Sequence, residues 1–188
     1  MNEGVTRVAL FYPSQSDHSA WLSQIREYLL KNQKNRVFEV NLQELLDREG
    51  SPDPPIPWFV KSLIEFLDTK NEAEGIFRIA GSRSSMETLR SQIDKGVKLD
   101  YSGYQEYQSV HTLASLLKLF FRLLPEPLLT FDAYDPLISL SEKATDADDL
   151  QKRMSEVLGR LPYANRYLAR YLIEFLGRVA TKSHVNMM

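Results

Sequence analysis

Apolar residues recur at intervals of three and four along most of this 188-residue chain, while strict two-residue alternation is nearly absent. The first spacing lines up apolar side chains on one face of an α-helix, whereas alternation would line them up on one face of a β-strand. The pattern therefore predicts an all-α protein. The length suits one domain with its own apolar core.

In the first half of the chain, polar caps and prolines divide this pattern into helices. A short helix begins after Asn41, which is a good N-cap residue, and should stop before Gly50. The four prolines within residues 51–57 indicate an extended segment, because prolines cannot sit together inside a helix. The next helix should run from Trp58 to about Lys70.

A third helix is predicted by a capping box, in which Ser84 is the cap and Glu87 lies three residues later. Its apolar face contains Met86, Leu89 and Ile93, and Gly96 follows its end. Residues 98–108 contain three tyrosines without a clear period, so we expect a surface loop there.

Residues 109–124 carry the strongest helical pattern, and Pro125 should end it. Its core positions are Val110, Leu113, Leu117, Phe120 and Leu124. Its other face carries a polar stripe at intervals of four, three and four, formed by His111, Ser115, Lys118 and Arg122.

Three more helical segments follow in the pattern. A short irregular helix is expected over residues 128–140, and another begins after the acidic residues at 146, 148 and 149. The core positions predicted for that second helix are Leu150, Met154, Val157, Leu158 and Leu161. Pro162 opens the last long helix, whose apolar stripe is Tyr167, Leu168, Tyr171, Leu172, Phe175, Leu176 and Val179. A polar turn is expected at residues 181–184.

The first 37 residues form a separate N-terminal extension in this interpretation. A short strand is expected over residues 7–12, and an amphipathic helix with Trp21, Ile25 and Leu29 should begin after Asp17. The polar residues 31–36 are the best candidate linker. The extension is either a helix packed on the following domain or the tail of a preceding domain, and it faintly resembles the end of a pleckstrin-homology domain.

Composition excludes several classes of function. The chain has 23 lysines and arginines against 25 aspartates and glutamates, so there is no general electrostatic case for binding nucleic acid or an anionic membrane. It has no cysteine, and its three histidines lie far apart, which leaves little basis for a metal site. No apolar stretch is long enough to span a membrane, and the first ten residues do not have the pattern of a signal peptide.

The segment between the second and third predicted helices is the first candidate for chemistry. Gly75 and Gly81 bracket it and would serve as hinges. Ile76, Phe77 and Ile79 should anchor it to the core, while Arg78 projects outward. Taken alone, this arginine is better explained by a structural salt bridge. The chain contains neither G-x-x-x-x-G-K-[ST] nor G-x-G-x-x-G, so it should not cradle a nucleotide phosphate itself.

Lys118 and Arg122 place two cations one turn apart on a helix whose opposite face is core. They form either an ordinary solvated face with ion pairs or a site for an anion or a partner protein. Asn165 is best explained as a polar residue at a helix start, and Asn186 indicates nothing by itself.

Taken together and in order, these segments resemble one family. The segments are Glu-Gly-Ile-Phe-Arg-Ile-Ala-Gly at 74–81, Leu-Leu-Lys-Leu-Phe-Phe-Arg-Leu-Leu-Pro-Glu-Pro-Leu at 116–128, Leu-Pro-Tyr-Ala-Asn at 161–165 and Asn-Met-Met at 186–188. With similar residues at 38–46 and 56–60, they resemble the Rho-family GTPase-activating domain, also called the RhoGAP or BCR-homology domain. The resemblance runs from Phe38 to Met188.

The resemblance implies a compact multi-helix bundle with an arginine-finger loop between helices. It implies that Arg78 is the finger, that Lys118 and Arg122 contact the GTPase and support the finger loop, and that Asn186 contacts the GTPase near its nucleotide. The partner would be a Rho-, Rac- or Cdc42-type GTPase in its GTP-bound form, which would bind GTP and Mg²⁺ itself. The chain would then need no cofactor and no metal and would not be an enzyme on its own. The alternative is a non-catalytic adaptor of the same fold.

Two further expectations come from the resemblance. The family continues beyond the N-x-M motif with a helical segment that shapes the GTPase-binding groove, and this sequence ends at Met188, so Asn186 is expected on a frayed terminus. The expected location is the cytoplasm, with contact to membranes only through the partner or a flanking domain.

Overall fold

The helices of this chain follow the apolar pattern closely. A computed structural model describes residues 21–22, 34–101, 107–143 and 146–188. Their helices are α1 (Leu42–Arg48), α2 (Trp58–Asp68), α3 (Arg83–Asp94), α4 (Tyr107–Arg122), α5 (Tyr134–Lys143), α6 (Ala147–Gly159), α7 (Tyr163–Thr181) and α8 (Ser183–Asn186). None of the described residues lies in a β-strand, which confirms the all-α prediction.

Several predicted boundaries are confirmed. The side chain of Asn41 caps α1 by accepting a hydrogen bond from the backbone N–H of Gln43 at 3.0 Å. The proline-rich segment is not helical, and α2 begins directly after it. Gly96 follows α3 with a positive φ of 84°. The strand and helix predicted within residues 1–33 lie outside the described residues, except that Trp21 and Leu22 are helical.

The predicted cap of α3 is wrong by two residues. Ser82, not Ser84, is the N-cap, and its hydroxyl accepts a hydrogen bond from the backbone N–H of Ser85 at 3.3 Å. Glu87 pairs instead with Arg83 at 3.0 Å. The helix starts earlier because the backbone just before it is held against α4 by contacts that the local sequence pattern does not contain.

The core lies where α2 and α4 cross, and it is centred on three aromatic rings. α2 packs against α4 and α7, and α3 packs against α4. The rings of Phe38, Phe59 and Phe120 are fully buried, with centroids 5.4, 6.0 and 5.8 Å apart. Asp94 fixes the chain at Phe38 by accepting hydrogen bonds from the backbone N–H groups of Val37 and Phe38 at 2.8 and 3.0 Å.

The second half of the bundle is less buried than the sequence predicted. Leu161, predicted in the same stripe, is buried just after α6. None of the α6 residues is fully buried, and Met154 is 41% exposed, so the predicted core role of Met154 is wrong and α6 contributes less to the core than predicted. The reason is its place at the edge of the bundle, where it packs chiefly against α5. On α7, Leu168, Phe175 and Val179 are buried as predicted, whereas Tyr167 and Leu176 are exposed. Across the described ranges, no helix has the length and apolar content that a membrane span requires.

Replacing Phe120 with alanine tests the aromatic core. The change removes a fully buried ring that contacts Phe38 and Phe59. We expect Phe120→Ala to lower the free energy of unfolding by about 3–5 kcal/mol, measured by urea denaturation. The matched control is Phe131→Ala, which removes a ring that is 64% exposed and should change stability by less than about 0.5 kcal/mol. Equal losses for the two variants would contradict this account of the core.

Candidate functional site

The loop between α2 and α3, residues 69–82, carries Arg78 at the surface and is held at three places. We call it the Arg78 loop. It has no regular helix or strand of its own. Its conformation therefore depends on contacts with α4, with α7 and with the short helix α8.

The first anchor is the buried amide of Asn186. Its side-chain nitrogen donates hydrogen bonds to the backbone oxygens of Asn71 and Val179, both at 2.8 Å. Its own backbone oxygen accepts a hydrogen bond from Gly75 N–H at 2.6 Å, and its side-chain oxygen accepts one from Met188 N–H at 3.1 Å. These bonds join the loop, the end of α7 and the C-terminal turn.

The expectation that Asn186 lies on a frayed terminus is therefore corrected, whereas its contact with the GTPase stays a prediction. The residue is fully buried rather than placed on a frayed terminus. Both polar atoms of its side chain are bonded within the chain, so the amide does not face a partner in this conformation. Its bonds to Asn71 and Gly75 hold the Arg78 loop on the buried side.

The second anchor lies directly before Arg78. Ile76 is fully buried, and the ring of Phe77 packs edge-on against Phe175 with centroids 5.9 Å apart. Phe77 adopts a φ of +62°, a left-handed conformation that is uncommon for a bulky residue. Its backbone oxygen accepts a hydrogen bond from Lys118 Nζ at 2.7 Å. This bond fixes the peptide group that precedes Arg78.

Ile79 does not anchor the loop to the core as predicted, because it is 37% exposed. Its side chain instead covers Gly75, which has a φ of +68°. A Cβ atom at Gly75 would stand only 2.5 Å from Ile79 Cδ1, so only glycine fits without displacing that side chain.

The third anchor is the contact of Gly81 with the backbone of α4. A Cβ atom at Gly81 would stand 2.3 Å from Thr112 Cα and 2.8 Å from the backbone oxygen of His111. Gly81 N–H donates a hydrogen bond to Ser115 Oγ at 3.0 Å, and Ser82 N–H donates one to Thr112 Oγ1 at 3.1 Å. Gly75 and Gly81, predicted as hinges, are thus points of close packing.

Two ion pairs link the end of α2 and the start of the loop to α7 and the turn after it. Arg178 pairs with Asp68 at 2.9 Å, and Lys182 pairs with Glu72 at 2.8 Å. The hydrogen bond from Lys182 lowers the pKa of Glu72. Both pairs are solvent-exposed, so we expect each to add little to the free energy of folding.

Arg78 itself is exposed, as predicted. Its backbone is fixed in a tight turn, with Arg78 N–H and Ile79 N–H donating to Gly75 O at 2.9 and 2.8 Å. Within the described ranges, its guanidinium neither donates a hydrogen bond nor pairs with a carboxylate. The alternative of a structural salt bridge is therefore wrong for the described part of the chain. The loop is thus held by several contacts, while the guanidinium of Arg78 pairs with no carboxylate among the described residues.

The polar face of α4 lies beside this loop, with one correction. Lys118 and Arg122 are exposed and Ser115 is half-buried, whereas His111 is only 2% exposed and is not part of the exposed stripe. Burial lowers the pKa of His111, which favours the neutral imidazole. The side chain of Thr112 contacts the loop instead, and sequence reasoning missed it because its partner Ser82 lies 30 residues away in the sequence.

Two other points of the prediction concern Asn165 and a metal site. Asn165 lies in the first turn of α7, at the helix start as predicted, although Pro162 is the N-cap. Its side-chain nitrogen donates to Leu128 O at 3.0 Å. It ties α7 to the segment that follows α4. Among the residues that the structure describes, histidine and acidic side chains form no group of three or more that could hold a metal ion.

The chain is similar to known proteins in sequence and in fold. Residues 57–188 match the family model of the RhoGAP domain. The chain is 34% identical over 153 residues to the Dictyostelium discoideum Rho GTPase-activating protein gacY, which covers 81% of this chain and 21% of that protein. It is 31% identical over 182 residues to mouse Rho GTPase-activating protein 22, covering 95% of this chain and 26% of that protein.

A solved structure agrees with the sequence relatives. The crystal structure of human Rho GTPase activating protein 15 superimposes with a TM-score of 0.78 at 27% identity, covering 95% of this chain and 78% of that one. The chain spans about a quarter or less of the length of the curated relatives described above. The family match covers more than half of the chain and includes the Arg78 loop, the cationic face of α4 and Asn186, so this chain belongs to the RhoGAP domain family.

Proposed function

We propose that this chain stimulates GTP hydrolysis by a Rho-, Rac- or Cdc42-type GTPase by inserting Arg78 into the partner's active site. The observation that carries the proposal is the state of that residue. Its backbone is fixed by bonds on both sides, while no described residue neutralises its guanidinium. A cation that is held in place but unpaired within its own chain is ready to pair with charge that another molecule supplies.

Phosphoryl transfer supplies such charge. As the γ-phosphoryl group of GTP leaves, negative charge spreads over its oxygens and the bridge to the β-phosphate. A guanidinium does not titrate near neutral pH, and its planar fork can bond two of these oxygens at once. A lysine ammonium would supply charge without that fork.

The anchors of the Arg78 loop would contribute through preorganisation. A loop that is already ordered loses less conformational freedom when the complex forms. A charge fixed near its final position also requires little rearrangement at the moment of reaction. Lys118 holds the peptide group before Arg78, and the α4 hydroxyls hold the loop three residues after it.

The two cations of α4 would have different roles, one in supporting the loop and one in contacting the GTPase. Lys118 supports the loop through its bond to Phe77 O, although its ammonium also stays exposed. Arg122 is exposed one helical turn further on and has no bonded partner among the described residues, so it is the better candidate for contact with the GTPase.

The partner would hold the nucleotide and metal. In this proposal a GTP-loaded Rho-type GTPase binds GTP and Mg²⁺ and positions the attacking water. This chain adds the arginine, and it is therefore an activator rather than an enzyme with its own substrate. It would act in the cytoplasm, reaching membranes through its partner.

Single-turnover GTP hydrolysis by Rho-, Rac- and Cdc42-type GTPases, with and without this chain, tests the proposal. We expect the wild-type chain to accelerate hydrolysis by at least one of them. Arg78→Ala should lose about 10³- to 10⁵-fold of the stimulated rate, or roughly 4–7 kcal/mol of transition-state stabilisation. Arg78→Lys should lose most of the stimulated rate, because a lysine keeps the charge without the planar fork.

The matched control is Arg153→Ala, which removes an arginine on the peripheral helix α6 and should leave the rate unchanged. Full activity of Arg78→Ala would overturn the assignment of the finger. If the wild-type chain bound the GTP-loaded partner without accelerating hydrolysis, the adaptor function would replace the proposed one.

Separate substitutions of Lys118 and Arg122 test whether one supports the loop and the other contacts the GTPase. Lys118→Ala should lower the maximal stimulated rate, because the peptide group before Arg78 loses its hydrogen bond. Arg122→Ala should mainly raise the chain concentration needed for half-maximal stimulation, by about fivefold, a loss of about 1 kcal/mol in association. Titrating each variant against a GTP-loaded partner measures both quantities. The reverse pattern would exchange the two roles.

A further inference from the structure

We infer that Thr112 and Ser115 are positioning residues for Arg78, acting through the backbone of the Arg78 loop. The inference rests on the proposed function, because it assigns these hydroxyls a part in the same stimulated reaction. Neither side chain bonds to Arg78 itself. Each accepts a hydrogen bond from a backbone N–H at the end of the loop.

Three polar side chains lie in a row on one face of α4. Thr112, Ser115 and Lys118 follow one another at intervals of three residues, which places them on the same side of the helix. They bond in turn to Ser82 N–H at 3.1 Å, to Gly81 N–H at 3.0 Å and to Phe77 O at 2.7 Å. Thus α4 contacts the loop's main chain on both sides of Arg78.

The hydroxyls are needed because of the close contact at Gly81. The loop backbone lies directly against the backbone of α4, closer than any side chain would allow. The N–H groups of Gly81 and Ser82 are part-buried in this position, and a bond to an acceptor from the protein compensates for the lost access to water. An α4 backbone oxygen is already used within the helix, whereas a serine or threonine hydroxyl can accept the bond.

This arrangement determines where the guanidinium can be. Among the described residues no hydrogen bond or ion pair holds the Arg78 side chain, so its position depends largely on the backbone on either side. Lys118 fixes the peptide before it, and Ser115 fixes the peptide group three residues after it. Loss of the second contact would let the loop occupy other conformations without removing any residue that faces the partner.

The test begins with Ser115→Ala and Thr112→Val in the full chain. We expect each to lower the maximal stimulated hydrolysis rate about tenfold, as an unsatisfied backbone N–H disfavours the productive loop conformation. The chain concentration for half-maximal stimulation should stay within about twofold, because the surface that meets the partner is unchanged. The matched control is Ser155→Ala, which removes a hydroxyl bonded to its own helix on α6.

A double-mutant cycle with Arg78 separates positioning from other effects. If the hydroxyls act through Arg78, Ser115→Ala should have no further effect on hydrolysis in an Arg78→Ala background. Equal effects in both backgrounds would overturn the inference, as would a loss confined to binding affinity. Circular dichroism and urea denaturation of each variant would show whether the fold is retained.

Amide hydrogen exchange of the free chain gives a readout that does not need the GTPase. Ser115→Ala should speed exchange at Gly81, and Thr112→Val should speed it at Ser82, while core amides of α2 stay protected. Unchanged exchange at both positions would overturn the inference even if hydrolysis is stimulated. If the wild-type chain fails to stimulate hydrolysis, the proposed function and the positioning role in it both fail, and exchange then reports only whether the hydroxyls hold the loop.

Discussion

The buried amide of Asn186 is the constraint on which the rest of the site depends. It bonds to the loop at Asn71, to the end of α7 at Val179 and to the turn at Met188, and its backbone oxygen accepts Gly75 N–H. Asn71 in the loop lies 115 residues before Asn186, and no regular secondary structure pairs the loop with the C-terminal segment. A single side chain with one acceptor and two donor hydrogens satisfies their backbone groups at once. Such a buried network strongly favours one arrangement of the loop.

The site is built almost entirely from contacts to the backbone. Asn186, Ser115, Thr112 and Lys118 each bond to main-chain atoms of the Arg78 loop. This leaves the guanidinium of Arg78 unpaired within the described part of the chain. A structural salt bridge would have stabilised the loop by neutralising that charge, and the charge would then have been weaker toward a partner. In the proposed function, holding the loop by its peptides keeps the cation available for the transition state, where its interaction would contribute to rate.

Local patterns predicted the helices and the exposed position of Arg78 because these depend on neighbouring residues. The Asn41 cap and the apolar stripe of α2 are examples. The burial of Asn186 could not be predicted in this way, since its partner Asn71 lies 115 residues away in the sequence. The cap at Ser82 and the role of Thr112 were missed for the same reason: both depend on where α4 lies against the loop. The exposure of α6 reflects its place at the edge of the bundle, which periodicity does not determine.

The most direct test of the central claim is whether Arg78 recognises the transition state rather than the ground state. Aluminium fluoride bound beside GDP mimics the transferring phosphoryl group. The affinity of the chain for a GDP-loaded Rho-type GTPase should therefore be measured with and without aluminium fluoride. The account predicts at least about a hundredfold gain for the wild-type chain. It predicts little gain for Arg78→Ala, although that variant should still bind the GTP-loaded partner. An equal gain in affinity for both chains would contradict the claim that Arg78 recognises the transition state.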